Sequence, residues 1–221
     1  MKRTSFFCYA ALFLVAAFSA NWRAGAEPDR GPQHTGWRNL FDGKTLKGWK
    51  ITKFGGEGEV RVEKATIVME FGSPLTGITY QGELPKGDYE LSLEAQKLDG
   101  NDFFCALTFP VGKSHCSLVV GGWGGSVVGI SSIDGHDASE NPTTRYMSFD
   151  KNRWYRIRVR VQADRIQAWI DDQEVVNQDV HGRHLDTRVE VELSKPLGIA
   201  AFETRAALRN IRLRDIQEPA K

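Results

Sequence analysis

The stretch that decides the fold is YRIRVRVQADRIQAWI, residues 155–170. Apolar and polar residues alternate with a period of two on both sides of Ala163-Asp164, as is typical of β-strands with one buried face. A two-residue turn at Ala163-Asp164 sets the register, with Arg158 opposite Trp169 on the polar face and Ile157 opposite Ile170 on the apolar face. The stretch therefore predicts an antiparallel hairpin with an arginine over a tryptophan ring.

Further short apolar or alternating runs follow one another along the chain, separated by turn residues such as glycine and proline. No sustained 3.6-residue apolar stripe occurs after the first twenty residues. We therefore predict an all-β, two-sheet antiparallel sandwich. The predicted strands are Val60–Val62, Thr66–Glu70, Gly77–Gln81, Tyr89–Lys97, Cys116–Val120, Val127–Ile130, Val189–Leu193, Leu197–Phe202 and Asn210–Ile216.

The overall composition is that of one globular domain. The chain has 221 residues, 41% of them hydrophobic, and this content excludes wholesale disorder. Its 29 Lys+Arg nearly balance 28 Asp+Glu, which argues against a nucleic-acid partner, because neutralising phosphates needs an excess of basic residues.

The amino terminus has the pattern of a cleavable signal peptide. Lys2 and Arg3 precede the apolar run Phe6–Ala20, and Ala24-Gly25-Ala26 supplies a small-x-small cleavage pattern. We therefore expect a signal peptide over 1–26, a flexible lead-in over 27–36, a domain over 37–217 and a loose tail over 218–221. The mature protein is expected to be secreted or periplasmic, with no membrane association.

Export permits disulfides, so Cys105 and Cys116 need an interpretation. A hairpin folded about Pro110-Val111 would place Cys105 opposite Cys116 on the apolar side, which makes a disulfide one possibility. The alternative is two buried thiols that pack as small apolar groups. No catalytic cysteine is indicated.

The opening motif resembles a known family. Residues 36–49, GWRNLFDGKTLKGW, resemble the start of the 3-keto-disaccharide hydrolase domain family, formerly catalogued as a domain of unknown function. Strands at Gly87–Leu91, Arg153–Ile157 and Leu208–Leu213 resemble that family's further motifs. The resemblance spans about residues 36–216. It implies a concanavalin A-like jelly roll and action on glycosides oxidised at C3.

Two stretches depart from the family's pattern. Gly100–Leu107 lacks the arginine of the family's polar strand, and Asp171-Asp172-Gln173 replaces its Asn-Gly turn. A ketone at C3 acidifies the C2 proton, so the chemistry would need a base, a donor facing the enolate oxygen and an acid for the leaving group. Direct glycosidase chemistry would instead need two carboxylates.

The richest polar cluster lies in Ile133–Arg145, after the glycine-flanked Trp123. A tryptophan among four glycines is a candidate stacking ring, and long loops in compact domains are often functional. His115 has the opposite parity to Cys116 and is a candidate base. Candidate catalytic residues are therefore His115, Asp134, His136 and Glu140, and candidate substrate-binding residues are Trp123, Asp137, Asn141 and Arg145. The alternatives are a solvated histidine, a flexible hairpin tip and a solvated loop.

Two other pairs of titratable residues are weaker candidates for a catalytic or metal site. Glu190 and Glu192 would share one face of a strand, which superficially fits a pair of catalytic carboxylates or a calcium site, but a solvent-facing edge is the favoured interpretation. His181 and His184 lack a third ligand for zinc. We expect no metal and no cofactor.

Three functions remain open. The chain is predicted to be an exported hydrolase that acts on 3-keto-glycosides or a related glycan, with a carbohydrate as its partner. The first alternative is a non-catalytic carbohydrate-binding module with the same fold. The second is an interaction domain of the cell envelope. Protein partners are not indicated, and fold alone does not separate the three functions.

Overall fold

The computed structural model describes residues 36–217, together with the backbone of Gln33–His34. This part of the chain is built mainly of β-strands. The strands are β1 (Gln33–His34), β2 (Arg38–Asn39), β3 (Trp49–Ile51), β4 (Val60–Glu63), β5 (Thr66–Met69), β6 (Leu75–Tyr80), β7 (Tyr89–Gly100), β8 (Cys105–Val111), β9 (Ser114–Gly121), β10 (Val127–Ser131), β11 (Arg145–Tyr146), β12 (Trp154–Val161), β13 (Arg165–Ile170), β14 (Gln173–Asp179), β15 (Gly198–Phe202) and β16 (Thr204–Gln217). A helical turn, α1 (Gly122–Gly125), and a 3₁₀ helix, Val189–Ser194, complete it.

The strands form two antiparallel sheets. In the nine-stranded sheet, seven strands follow the order β14-β13-β12-β7-β16-β5-β4, and β1 and β2 pair with β16. The seven-stranded sheet has the order β11-β10-β9-β8-β15-β6-β3. The predicted all-β, two-sheet antiparallel sandwich is confirmed.

The hairpin that decided the prediction has the expected register. Ile157 pairs with Ile170 and Arg158 with Trp169 across β12 and β13. The guanidinium carbon of Arg158 lies 3.8 Å from the centre of the Trp169 ring, so the predicted stacking is confirmed as well. The register follows from the turn, because the backbone groups of Gln162 and Arg165 close it on either side of Ala163-Asp164.

The core lies between the two sheets. Each strand of the central hairpins turns alternate side chains inward, and these side chains are almost completely buried. Those from the nine-stranded sheet include Leu91, Leu93, Ile157 and Val159, and those from the seven-stranded sheet include Leu107, Phe109, Leu118 and Ile130. Every second side chain of a strand lies in this core, so the side chains between them point to the outer face of their sheet. Candidate sites therefore lie on the two outer faces.

The predicted pairing of Cys105 with Cys116 is wrong. Cys116 pairs with Phe109, and Cys105 pairs with Val120. The turn falls at Gly112-Lys113, where Gly112 takes a left-handed φ of 59°, rather than at Pro110-Val111. The two cysteines are therefore displaced by four residues along the strands, about 13 Å at ~3.3 Å per residue. Both are buried free thiols, which agrees with the alternative interpretation.

A second strand prediction is also wrong. Val189–Leu193 forms part of the 3₁₀ helix instead of a strand. Its buried residues are Val191 and Ser194, three residues apart, while Val189 is 83% exposed. This spacing matches the three residues per turn of a 3₁₀ helix. The alternation of valine and glutamate in the sequence therefore does not indicate a strand here.

The ends of the chain lie largely outside the described residues. The predicted signal peptide 1–26 and tail 218–221 belong to this undescribed part. Within the predicted flexible lead-in 27–36, Gln33–His34 instead forms β1, because its backbone pairs with that of Ile216 and Gln217. In the part of the chain that the structure describes, no helix has both the length and the apolar character needed to cross a bilayer.

Candidate functional site

The candidate site lies on the outer face of the seven-stranded sheet. Side chains of β8, β9 and β10 that do not enter the core point to this face, among them Ala106, Ser117, Val119 and Ser131. They line a cleft with a volume of about 160 Å³. A cavity of ~150 Å³ holds one benzene-sized ring, so this cleft has room for a single six-membered ring.

Part of the same face is covered. Val191 of the 3₁₀ helix packs against Leu75, Ala106 and Ala200, and Phe103 and Phe202 pack around them. The 3₁₀ helix therefore fills the region above β15 and β6 with apolar side chains. It leaves open the end of the face near β9 and β10, where it forms one wall of the cleft.

An exposed tryptophan stands at the cleft. Trp123 is 41% exposed and lies in α1, where it has a left-handed φ of 48°. The turn is held by Asp102, whose Oδ2 accepts a hydrogen bond of 3.0 Å from the backbone N–H of Gly124. Gly124 itself has a φ of 84°, a conformation that glycine adopts without steric cost. The tight turn therefore keeps the Trp123 ring out of the core and at the cleft.

An arginine also lines the cleft. The guanidinium of Arg188 forms ion pairs with Asp137 and, at 2.7 Å, with Glu190. It lies 5.7 Å from the centre of the Trp123 ring. Asp137 is in turn held by the hydroxyl groups of Ser131 and Ser132, which donate hydrogen bonds of 3.2 and 3.1 Å to its Oδ1. Arg188 is thus fixed between two carboxylates beside an aromatic ring.

These contacts define the charge states of the site. The hydrogen bond from Arg188 lowers the pKa of Glu190 below its ordinary value, so Glu190 is a carboxylate at neutral pH. The same hydrogen bond raises the pKa of Arg188. The cleft therefore carries a permanent cation and an ionised acid, both partly exposed, next to a floor of small and apolar side chains.

Only some of the residues predicted to bind or cleave a substrate lie near the cleft. Trp123 lines it directly, and Asp137 contacts it through Arg188. Asp134 forms an ion pair of 2.6 Å with Arg183, and His136 and Glu140 are exposed outside the lining. Arg145 is exposed and donates hydrogen bonds to nearby backbone carbonyls. The catalytic roles of Asp134, His136 and Glu140 and the substrate-binding role of Arg145 stay predictions.

Asn141 organises the loop. Its side-chain amide donates hydrogen bonds to the carbonyl oxygens of Ile130, His136 and Asp137, at 2.7, 3.1 and 2.8 Å. Its Oδ1 accepts hydrogen bonds from the backbone N–H and the hydroxyl of Thr143. Because Asn141 is buried and its polar atoms have partners both in the loop and in β10, its contacts tie the loop to the sheet and fix the position of Asp137.

His115 lies on the outer face next to a different charge cluster. Burial lowers the pKa of His115, and the nearby Lys195 lowers it further, so the imidazole is largely neutral at pH 7. Lys195 bridges Glu192 and Asp186 at 2.9 and 3.3 Å. His115 precedes Ser117 by two residues on β9, so it is on the same face as the cleft floor but outside the lining. Its role as base also stays a prediction.

The two glutamates of the 3₁₀ helix have separate partners. Glu190 pairs with Arg188, whereas Glu192 pairs with Lys195 and accepts a hydrogen bond of 2.8 Å from the hydroxyl of Thr187. The predicted arrangement with both carboxylates on one strand face is therefore wrong. Among the described residues, no three His, Cys, Asp or Glu side chains converge as metal ligands.

Three further residues line the cleft without having been predicted from the sequence: Arg188, Phe103 and Phe202. Arg188 lies 51 residues from its partner Asp137. A contact between residues this far apart leaves no spacing signal in the chain. The only local signal was the Arg188-x-Glu190 pair, which in the sequence looks like an ordinary charged surface.

The two antiparallel sheets form a jelly-roll β-sandwich with an open cleft on one outer face. The chain belongs to the 3-keto-alpha-glucoside-1,2-lyase-like domain family, whose model matches residues 36–214. This match confirms the resemblance carried by the opening motif. No curated protein matches the sequence.

Solved structures with a similar fold are carbohydrate-related proteins. The carbohydrate recognition domain of Emp46p aligns with a TM-score of 0.54 and 13% identity, over 80% of this chain and 94% of that chain. Domain 4 of AbnA, an extracellular arabinanase from Geobacillus stearothermophilus, was solved with arabinotriose; it aligns with a TM-score of 0.53 and 12% identity, over 86% and 95% of the two chains. A candidate glycosyl hydrolase from Parabacteroides distasonis gives a TM-score of 0.52 and 13% identity, over 81% and 94%. These likenesses confirm the concanavalin A-like jelly roll. The family match identifies the chain as a carbohydrate-related domain.

Proposed function

We propose that this protein binds the ring of a 3-keto-glucoside in the cleft beside Trp123 and cleaves its glycosidic bond. The observation that carries the proposal is the position of Arg188, an ion-paired cation held 5.7 Å from an exposed tryptophan ring at a cleft of single-ring size. Membership of the 3-keto-alpha-glucoside-1,2-lyase-like domain family supports the same substrate class. A ring stacked on Trp123 would bring its oxygen atoms to the guanidinium.

The chemistry begins with the acidity of the C2 proton next to the C3 ketone. A base removes this proton, and the C–H electron pair forms an enolate with the ketone oxygen. When the ketone re-forms, the electron pair of the enolate forms the C1–C2 double bond. The C1–O bond then breaks, and the leaving oxygen takes up a proton. Addition of water across the double bond completes a net hydrolysis, whereas without this addition the reaction is a lyase reaction.

The residues of the cleft supply the needed groups. Arg188 donates hydrogen bonds to the C3 oxygen, where negative charge develops, and such pre-positioned charge is a large contribution to catalysis. Glu190 is ionised and partly exposed, so it can accept the C2 proton. Its lowered pKa makes it a weak base, and His115, which is largely neutral and lies on the same face, is the alternative base.

A second function is favoured by one feature of the site. Both carboxylates next to Arg188 are engaged by it, so the cleft offers a ring platform and hydrogen-bond donors without a strong base. This arrangement is sufficient for a non-catalytic carbohydrate-binding module. Domain 4 of AbnA, which was solved with arabinotriose, and the carbohydrate recognition domain of Emp46p have the same fold.

Turnover of 3-keto-trehalose and 3-keto-sucrose, followed as sugar release, separates the two functions. We expect Glu190→Gln to lower the rate by about 100-fold or more, as is typical for loss of a general base. Glu192→Gln is the matched control, because it makes the same change two residues away on the same helix, outside the cleft lining. It should keep the rate within about twofold.

The possible outcomes distinguish the assignments. Full activity in Glu190→Gln together with a large loss in His115→Ala would move the base to His115. Ligand binding without turnover in the wild-type protein would support the binding module. Absence of both binding and turnover would contradict the site as a whole.

We also propose that the protein is exported and acts outside the cytoplasm. The basic residues Lys2 and Arg3, the apolar run Phe6–Ala20 and the small residues before Glu27 support this.

A further inference from the structure

The outer face of the nine-stranded sheet carries rows of arginine across three neighbouring strands, β12, β7 and β16. In the first row, Glu90 of β7 pairs with Arg160 on one side and Arg214 on the other. In the third row, Glu94 pairs with Arg156 and Arg209. In the row between them, Ser92 stands between Arg158 and Arg212. The central row thus has two arginines and no carboxylate.

The carboxylates of the outer rows are fully engaged. Glu90 is completely buried and accepts hydrogen bonds from Arg158, Arg160 and Arg214. The two oxygen atoms of Glu94 accept hydrogen bonds of 2.8 Å from Arg209 and 2.7 Å from the side-chain amide of Asn210. Of the central row, Glu90 therefore engages only Arg158. The three rows together contain six arginines against two glutamates, and Arg156 has a further carboxylate partner, Asp172, at 2.6 Å.

Arg212 is the arginine that this arrangement leaves over. Its guanidinium lies 4.7 Å from the centre of the Trp37 ring. Its Nε is buried and has no hydrogen-bond partner among the described residues. A buried donor without a partner costs free energy unless a bound group satisfies it. Arg158, the other arginine of the row, leans towards Glu90 and stacks on Trp169.

A pocket opens at this gap. It has a volume of about 270 Å³ and is lined by Asn39, Ser92, Leu93, Glu94, Arg156, Asn210 and Arg212. Asn210 has a left-handed φ of 54° and lies where the pairing of β16 with β7 shifts register between Arg209 and Arg212. The irregular strand therefore creates the space. The wall presents two guanidinium groups, amide and hydroxyl groups, and the carboxylate of Glu94, whose oxygen atoms are engaged by Arg209 and Asn210.

We propose that this pocket binds the carboxylate of a sugar acid, such as a uronate unit of an acidic glycan. The other two rows have a glutamate between their arginines, and the central row has Ser92 there. The ligand's carboxylate supplies the missing negative charge and accepts hydrogen bonds from Arg212. Guanidinium and carboxylate match each other as a planar, bidentate pair. Asn39, Ser92 and Asn210 offer partners for the ring hydroxyl groups. The pocket lies on the sheet opposite to the Trp123 cleft, so its function does not depend on the activity proposed for that cleft.

Binding of trigalacturonate, measured by titration calorimetry at low salt, tests the proposal. The wild-type protein should bind trigalacturonate and should bind neutral galactotriose at least about tenfold more weakly. Arg212→Gln should weaken trigalacturonate binding by about tenfold or more. Arg165→Gln is the matched control, because it removes the same charge from β13 of the same sheet, where Arg165 contacts Asn177, and it should leave the affinity unchanged.

A second variant tests the gap itself. Ser92→Glu places a carboxylate in the central row, so it should abolish trigalacturonate binding and raise the melting temperature, as an internal replacement for the ligand. If Ser92→Glu does not fold, the affinity of Arg212→Gln for trigalacturonate still tests the proposal. Equal affinity for galactotriose, equal affinity for inorganic sulfate, or unchanged affinity in Arg212→Gln would each overturn the proposal.

Discussion

The buried carboxylate of Glu90 offers the sharpest test of what stabilises the nine-stranded sheet. Glu90 has no exposed surface, and its side chain accepts hydrogen bonds from Arg158, Arg160 and Arg214. Glu90→Gln keeps the shape of the side chain but removes its charge. It leaves three guanidinium groups close together without the anion that compensates them.

The magnitude of the effect follows from the exposure of the partners. Removing one partner of a buried ion pair costs about 3–5 kcal/mol. The side chains of Arg158, Arg160 and Arg214 are 32%, 26% and 18% exposed, so water takes over part of their solvation. We therefore expect a loss of about 2–3 kcal/mol in the free energy of unfolding, which lowers the melting temperature by about 4–12 °C for a domain of this size.

The effect should depend on pH. Burial by itself raises the pKa of Glu90, but hydrogen bonds from Arg214 and Arg160 outweigh burial and lower the pKa below its ordinary value. A carboxyl group whose pKa is lower in the folded state contributes stability above its unfolded pKa, about 4.3, and this contribution is lost as the pH falls through the folded pKa. The difference between the wild type and Glu90→Gln should therefore shrink in acid.

Urea denaturation at pH 7 and in mild acid measures both quantities. Glu174→Gln is the matched control, because Glu174 is an exposed glutamate on β14 of the same sheet. It should change the free energy of unfolding by less than about 0.5 kcal/mol. If Glu90→Gln were equally mild, the arginine rows would not depend on Glu90, and the reasoning about the central row would fail with it.

Three other predictions follow from single features. Asn141→Ala should lower the free energy of unfolding by about 2–3 kcal/mol in urea denaturation, because it leaves buried carbonyl groups of the loop without their donor. Peptides with Cys105 and Cys116 should react with a thiol reagent only after unfolding, as mass spectrometry can show, because both thiols are buried and burial raises the pKa of Cys105 to about 12. Amino-terminal sequencing after expression in a bacterial host should find periplasmic protein that begins at Glu27; uncleaved protein in the cytoplasm would contradict export.

The fold could be predicted where the turn was unambiguous. Ala163-Asp164 is flanked on both sides by clean alternation, so counting from the turn gave the register of β12 and β13 correctly. The same counting failed for β8 and β9, because Pro110 looked like the turn although it lies within β8, and Gly112 provides the left-handed turn residue. Because the turn lies two residues later than predicted, the pairing shifts by four residues, and Cys105 lies opposite Val120 instead of Cys116.

The candidate site was only partly predictable, because its charged residues are joined over long distances in the chain. Trp123 was recognisable from its glycine neighbours, which prevent local burial. Arg188 was not, because its contact with Asp137 arises only when the 3₁₀ helix folds over the seven-stranded sheet. Apolar residues and glutamates alternate in 189–193, which is typical of a strand and not of a 3₁₀ helix. The structure departs from this pattern because two of the apolar residues, Val189 and Leu193, are exposed. Tertiary packing, rather than local pattern, placed these residues.

The position of a bound sugar tests the central claim most directly. A crystal structure of the protein soaked with 3-keto-sucrose should show the keto ring or its cleavage product stacked on Trp123, with an oxygen atom within hydrogen-bond distance of Arg188. Crystals of Trp123→Ala should show an empty cleft at the same ligand concentration. Density for the sugar at any other place on the domain, with the Trp123 cleft empty in the wild type, would contradict the account.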